Sequence, residues 1–163
     1  MPRLMTTAAT AAVALAALLA AGCAFQSITP GMSREQVVAA YGTPTQVVAT
    51  GTGSRLQYSG QPLGQFANMV DLDATGKVVN ARQVLKPAEF VRIQTGQWTQ
   101  ADMEREFGRP ASMDRVSSWS GDIMTYRWID HDQPMLFWAY LDANRVVQRV
   151  GQGMEFPFRD NDK

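Results

Sequence analysis

The chain has 163 residues, and its 15 lysines and arginines are balanced by 15 aspartates and glutamates. A net charge of zero excludes the basic surface typical of nucleic-acid-binding proteins and of proteins held at a membrane by a polybasic patch. The single cysteine excludes a disulfide bond within the chain, and packing must therefore stabilise the fold.

The first 22 residues have the layout of a bacterial secretory signal. Arg3 supplies a basic start, a run of small apolar residues extends from Ala11 to Ala21, and Gly22-Cys23 closes the segment. The apolar run holds about a dozen residues, fewer than the roughly 20 that a membrane-spanning helix needs. The sequence therefore predicts a cleaved signal peptide over residues 1–22.

The segment Leu19-Ala20-Ala21-Gly22-Cys23 resembles a bacterial lipobox, with Ala20 in place of the usual larger aliphatic residue. This resemblance implies that the chain is cut before Cys23 and that Cys23 carries the acyl chains of a membrane anchor. Ala24 is not the aspartate that marks inner-membrane retention in enterobacterial lipoproteins, which favours the outer membrane. The alternative is an ordinary signal peptide followed by a stray cysteine.

The remaining chain contains two copies of one pattern, separated by about 65–69 residues. The matching positions are Ile28 and Ile93, Gly31 and Gly96, Tyr41-Gly42 and Phe107-Gly108, Pro44 and Pro110, and Tyr58 and Tyr126. The sequence thus predicts a first repeat over residues 23–86, a second over residues 87–155 and a flexible charged tail over residues 156–163.

Each copy begins with a predicted helix that has recognisable ends. A capping-box pair starts each helix and a glycine suited to a left-handed conformation ends it. These residues are Ser33, Gln36 and Gly42 in the first copy and Thr99, Asp102 and Gly108 in the second. A short preceding helix is predicted from Pro87 to Ile93, with a truncated counterpart from Phe25 to Ile28.

After each helix, apolar and polar residues alternate with the period of a β-strand. Strands are predicted at residues 45–50, 54–59, 65–72 and 77–84, and again at residues 111–116, 122–129, 134–141 and 145–150. Turn-forming residues separate them, as in a meander. The predicted fold class is α+β, with two tandem units that each pack a short helix pair on an antiparallel β-meander of three to four strands.

The first copy reads Gly-Met-Ser-Arg-Glu-Gln-Val, then Tyr-Gly-Thr-Pro, then Leu-Asp-Ala-Thr-Gly-Lys-Val, and this order resembles the SmpA/OmlA (BamE-like) domain. The second copy matches in outline, with Gln97-Trp98 in place of Gly-Met. The resemblance implies a periplasm-facing outer-membrane lipoprotein with a protein partner in β-barrel assembly or another envelope component.

The duplication departs from the single domain of that family. Tandem units of this shape are more distantly similar to the β-lactamase inhibitor protein. That resemblance implies an alternative function, the inhibition of an envelope or secreted hydrolase. A lipid anchor favours the scaffold over the inhibitor, because a diffusible inhibitor needs no anchor.

No group of residues in the sequence indicates catalysis or a metal site. The sole histidine, His131, lies in a predicted hairpin turn over residues 130–134, and no second histidine can join it on a metal ion. The acidic residues are predicted to mark a strand end and a solvated helix face; they are Asp71 and Asp73, and Asp102, Glu104 and Glu106. We expect no enzyme activity, no cofactor and no metal ion.

The aromatic residues give the strongest functional indication, because all four tryptophans fall in the second copy. Aligning Leu72 with Leu141 places Leu136, Trp138 and Tyr140 on the sheet face away from the helices, which we call the open face. The neighbouring strand adds three residues to it: Ile123, Arg127 and Ile129. A sheet covered on one side is expected to be polar on the other, and apolar area there is typical of an interface.

The open face is therefore predicted to bind a protein partner. Two alternatives remain, namely packing of this face against the first copy and binding of a small ligand or lipid. A shift of the register by one residue would exchange the two faces of each strand.

Overall fold

The computed structural model describes residues 27–156 of the chain. The predicted signal peptide, the anchor residue Cys23 and the tail from residue 157 onward lie outside the described residues. Over residues 27–156, the structure contains no helix with the length and apolar character that crossing a membrane requires.

Helices and strands follow the predicted order. They are α1 (Arg34–Tyr41), β1 (Gln46–Thr50), β2 (Gly53–Ser59), β3 (Ala67–Leu72), β4 (Val78–Gln83), α2 (Pro87–Phe90), α3 (Gln100–Phe107), β5 (Ser112–Asp114), β6 (Ile123–Asp130), β7 (Gln133–Leu141) and β8 (Val147–Met154). The strands form two antiparallel four-stranded sheets, ordered β1-β2-β3-β4 and β5-β6-β7-β8. The fold is mixed α+β and mostly sheet, which confirms the coarse prediction.

The helices preceding each meander differ from the prediction. The second repeat has the short α2 and then α3, whereas the described part of the first repeat has α1 alone. The counterpart predicted from Phe25 to Ile28 falls partly outside the described residues, and Ile28 itself is not helical. The helix predicted from Pro87 to Ile93 ends at Phe90.

Both predicted helix caps are present. The Ser33 side chain accepts from the backbone of Gln36 and Thr99 accepts from Asp102, and in each case the second side chain bonds back to the cap residue. Both helices end at a glycine with positive φ, 80° in α1 and 78° in α3. A residue with a Cβ would be strained there, which explains why the helix stops at glycine in both copies.

A tyrosine ties each main helix to its sheet in the same way. The hydroxyl of Tyr58 donates to the carbonyl of Gly42 at 3.1 Å, and the hydroxyl of Tyr126 donates to the carbonyl of Gly108 at 3.0 Å. These four residues are aligned by the internal repeat. The duplication seen in the sequence is therefore also a duplication of local contacts.

Helix α3 lies between the two sheets. One core cluster joins the outer face of the first sheet (Ala67, Met69), α3 (Met103, Phe107) and the helix-covered face of the second sheet (Tyr126, Phe137, Ala139). On its other side the first sheet packs on α1 in a separate cluster of Val37, Leu56, Tyr58, Val70, Leu72 and Val78. The layers therefore run α1, first sheet, α2 with α3, and second sheet.

The predicted register of β6 and β7 is confirmed. The same alternation predicts seven side chains on the helix-covered face: Met124, Tyr126, Trp128, Met135, Phe137, Ala139 and Leu141. Six of them are at most 3% exposed, and Met135, near the start of β7, is half-buried against the same core. Phe90 of α2 covers this face, with its ring stacked on Phe137 at 4.0 Å between centroids and edge-on to Trp128 at 5.5 Å.

The Thr99 side chain caps α3 by accepting from the amide of Asp102 at 3.2 Å, and replacing Thr99 with alanine removes this cap. We expect the free energy of unfolding to fall by about 1 kcal/mol. Urea denaturation followed by tryptophan fluorescence measures it. The matched control Thr29→Ala makes the same change at an exposed position before α1 and should cost less than about 0.5 kcal/mol. Equal losses in the two variants would contradict the capping role.

Candidate docking face

Alternation along β6 and β7 places all six predicted side chains on the sheet face opposite the core. Their exposure differs. Ile129 is 45% exposed, whereas Ile123 is only 4% exposed. Three others are half-buried: Leu136, Trp138 and Tyr140. Because Ile123 is buried, a partner on this face does not reach it, and the candidate site is corrected to exclude it.

The indole of Trp138 lies across β8 because two glycines leave room for it. Gly151 pairs with Trp138 across the strands, and Gly153 lies two residues further along. A Cβ on Gly153 would lie 2.9 Å from Cη2 of Trp138, and a Cβ on Gly151 would lie 3.6 Å from Cε3. Trp138 is thus packed on the backbone, and β8 continues past its predicted end at residue 150 through these glycines.

An aromatic and cationic group adjoins Tyr140. The rings of Trp119 and Tyr140 meet edge to face at 5.3 Å between centroids. The guanidinium carbon of Arg149 lies 3.9 Å from the centroid of Tyr140 and 5.3 Å from that of Trp119, a cation–π arrangement. The Trp119 indole donates to the carbonyl of Leu141 at 2.7 Å, which fixes its ring.

Arg127 joins the two repeats instead of standing free on the open face. Its Nε donates to Glu155 at 2.6 Å, and its Nη1 donates to the carbonyls of Pro62 and Leu63 at 2.9 and 2.8 Å. The side chain of Gln61 bonds both the amide and the carbonyl of Arg127. The prediction that Arg127 contacts a partner is corrected, because the loop of the first repeat already occupies its guanidinium.

The first repeat otherwise packs on α3, not on the open face. Gln57 donates from Nε2 to the carbonyls of Glu104 and Arg105, both at 3.0 Å, and Arg55 donates from Nη1 to the carbonyl of Arg105 at 3.0 Å. The last carbonyls of a helix lack partners within the helix and carry partial negative charge. Packing of the open face against the first copy, the alternative raised by the sequence, therefore holds for Arg127. The first sheet itself covers the helix side of the second repeat.

An ionic network strengthens this contact. Asp71 accepts from Arg55 at 2.5 Å and from Arg82 at 2.8 Å, and Glu106 of α3 lies 3.0 Å from Arg55. The side chains of Asp71 and Glu106 are 17% and 14% exposed. The prediction that Glu106 lies on a solvated helix face is therefore wrong, because that face of α3 meets the first sheet.

The pKa of Asp71 reflects this environment. Burial acts to raise the pKa, but the hydrogen bonds and charges of Arg55 and Arg82 outweigh burial and hold the pKa of Asp71 below its ordinary value. A carboxyl group whose pKa is lowered in the folded state stabilises the fold above its unfolded pKa. That contribution is lost as the pH falls through the folded pKa.

His131 lies at the tip of the hairpin between β6 and β7. His131 and Asp132 have φ values of 46° and 67°, as in a two-residue type I′ turn. The His131 side chain is 96% exposed, with Nδ1 2.7 Å from the Asp130 carboxylate. Within residues 27–156, no cluster of three or more histidine, cysteine, aspartate or glutamate side chains is placed to hold a metal ion.

Comparisons with known proteins leave the family open. No protein-family model matches the sequence, and no curated protein matches it. Among solved structures, the chain is similar to a DUF4309 family protein (YjgB) from Bacillus subtilis subsp. subtilis str. 168, with a TM-score of 0.33 and 14% identity over 76% of this chain and 78% of that chain. A TM-score this low supports no argument about function.

Replacing Asp71 with asparagine leaves Arg55 and Arg82 without their shared carboxylate. We expect a loss of about 2 kcal/mol in the free energy of unfolding at pH 7, since both guanidinium groups are largely buried. The difference from the wild type should shrink below about pH 4, as the Asp71 carboxyl takes up a proton. Urea denaturation repeated at several pH values between about 3 and 8 measures both effects.

Asp122→Asn is the matched control for this variant. Asp122 also has a lowered pKa, caused first by a hydrogen bond from Arg115, but the Arg115 side chain is 81% exposed. Solvent screens such a pair, and we expect a much smaller loss. Similar losses at Asp71 and Asp122 would contradict a structural role for the network between the repeats.

Proposed function

We propose that this protein is a non-catalytic outer-membrane lipoprotein that faces the periplasm and acts as a scaffold or accessory factor in β-barrel assembly or envelope integrity. Its two repeats are SmpA/OmlA-like units, each with one main helix on a meander, and Cys23 carries the lipid anchor. The lipobox-like segment before Cys23 and the repeated cap, glycine and proline pattern support this assignment.

The open face of the second sheet carries the docking role. It now comprises Ile129, Leu136, Trp138 and Tyr140, with Trp119 and Arg149 at its side. Tryptophan, tyrosine and arginine are the residue types that most often dominate binding energy at protein interfaces. The glycines under Trp138 and the stacking around Tyr140 hold these side chains in place, which reduces the entropy lost on binding.

The observation that carries this proposal is the position of the first repeat, which lies on the other side of the second sheet and leaves the open face accessible to a partner. The first sheet packs on α3, and its loop reaches Arg127 and Glu155 at one end of the open face. A partner of the second sheet therefore needs no rearrangement of the two repeats. His131 stands on an exposed hairpin tip, where the described part of the chain forms no pocket to hold a substrate beside it, and this supports a non-catalytic role.

The double variant Ile129→Ser, Leu136→Ser tests the docking role. Affinity capture of the tagged full-length protein from gently solubilised envelopes should recover β-barrel assembly components with the wild type and lose them with the variant. Val79→Ser is the matched control, because Val79 is 55% exposed in β4 of the first sheet. It should recover the same proteins as the wild type.

Three results would contradict this proposal. Recovery of the same partner by the wild type and the double variant would exclude the open face as the docking site. Recovery of a single hydrolase would favour the inhibitor, and recovery of nothing would remove the support for a scaffold. A thermal unfolding curve of each variant establishes that the fold is retained.

Cys23→Ser tests the anchor separately. We expect the wild type to incorporate labelled palmitate and to sediment with outer membranes. The variant should incorporate no label and should appear in the soluble periplasmic fraction, because the acyl chains supply the membrane affinity. A variant that still incorporates label or still sediments with outer membranes would contradict anchoring through Cys23, whereas sedimentation with inner membranes reports an uncleaved signal peptide.

A further inference from the structure

Past its first residue, Val147, which bonds Gly96 and Trp98, and the bulge that follows, strand β8 presents a free edge with a regular row of backbone groups. It is the last strand of the second sheet and eight residues long. The amide of Glu155 donates to the carbonyl of Pro134, which fixes the alternation of bonded pairs along β7 and β8. Arg149, Gly151 and Gly153 therefore direct their backbone groups toward β7, and the residues between them direct theirs away from the sheet.

Gln148 lies in the bulge itself, and past the bulge the outward-directed residues are Val150, Gln152 and Met154. In the part of the chain that the structure describes, their backbone amides and carbonyls have no hydrogen-bond partner. Natural edge strands are usually protected by proline, lysine or a bulge. β8 contains neither proline nor lysine, and its bulge lies at the other end, opposite Tyr140 and Leu141.

Apolar surface flanks this edge on the α2 side. The side chains of Val150 and Met154 are 38% and 56% exposed, and Val91 just after α2 is 82% exposed. A shallow groove of about 280 Å³ opens between α2 and β8, with Phe90 and Phe137 in its wall. On the opposite side of the sheet, the indole of Trp138 extends over the β8 backbone.

We propose that the β8 edge binds an extended peptide segment of another protein by strand addition. Alternate side chains of that segment are apolar and enter the groove beside α2. Outward amides recur every second residue, about 7 Å apart, and an extended backbone repeats its own donors and acceptors at the same spacing. A small ligand or a helix cannot satisfy this row, since neither presents paired donors and acceptors at that interval.

This site goes beyond the proposed function and does not depend on it. Its determinants are the backbone of β8 and the groove beside α2, whereas the scaffold role rests on Ile129, Leu136 and their neighbours on the open face. The other sheet edges are shorter: β1 has five residues, β4 six and β5 three. The regular free stretch of β8 covers residues 149–154, whereas β4 has Val78 already bonded to Gly31 and Met32.

The experiment uses a fluorescent, capped peptide of alternating valine and threonine with a lysine at each end, added to the protein without its signal peptide. Val150→Pro removes one outward amide and no hydrogen bond to β7, so the sheet is retained. We expect it to weaken peptide binding at least about tenfold in fluorescence anisotropy, the effect of losing one or more well-formed hydrogen bonds. The matched control Val150→Ala keeps the amide and should bind within about threefold of the wild type.

A second readout does not depend on the folding of any variant. In the free protein the amides of Val150 and Gln152 should exchange with solvent quickly, and those of Gly151 and Gly153 slowly. Addition of the peptide should slow exchange at Val150 and Gln152 selectively. The same peptide N-methylated on all of its backbone amides should neither bind nor protect, because it lacks donors on both edges.

Several outcomes would overturn the proposal. These are no binding of the unmodified peptide at millimolar concentration, equal binding of the N-methylated peptide, and unchanged exchange at Val150 and Gln152. Protection of these amides without peptide, together with a dimer in light scattering, would make β8 an interface between two copies of this chain. Retained peptide binding by the folded Val150→Pro variant would likewise exclude strand addition.

Discussion

The contact of the first sheet with the carboxyl end of α3 determines how the rest of the molecule is arranged. An isolated helix of eight residues is unstable in water, and its last carbonyls need partners. Here Gln57 and Arg55 supply those partners from β2, while Met103 and Phe107 bury the apolar side of the helix. Helix α3 thus belongs to the second repeat by sequence and to both repeats by contact.

This arrangement gives the two sheets different outer faces. The outer face of the first sheet combines Ala67 and Met69 with Arg55 and Asp71, and it suits a helix end that carries partial charge and polar groups. The outer face of the second sheet carries Leu136, Trp138 and Tyr140, and no described helix or sheet lies over it. Two copies of one pattern therefore play different parts, one facing inward and the other outward.

The candidate site was predictable where it depends on alternation within one strand. The repeat fixes the register of β7, and that register places Trp138 and Tyr140 on the open face. The burial of Ile123 and the engagement of Arg127 with Pro62 depend on chain segments far away in sequence. The contact of Trp119 and Arg149 with Tyr140 was not predicted, because a loop and a cross-strand pair bring these residues together. The glycines at 151 and 153, which make room for the Trp138 indole, were a signal visible in the sequence.

The sequence by itself determined the local structure, because caps, turns and strand periodicity act between residues a few positions apart. Ser33, Thr99, Gly42 and Gly108 set the helix ends in this way. Only the tertiary structure decided that the outer face of the first sheet is covered by α3. Glu106 is the example, because its solvation depends on whether another layer lies over α3. Whether a layer lies there is decided by the packing energy of whole layers, which is summed over residues far apart in the sequence.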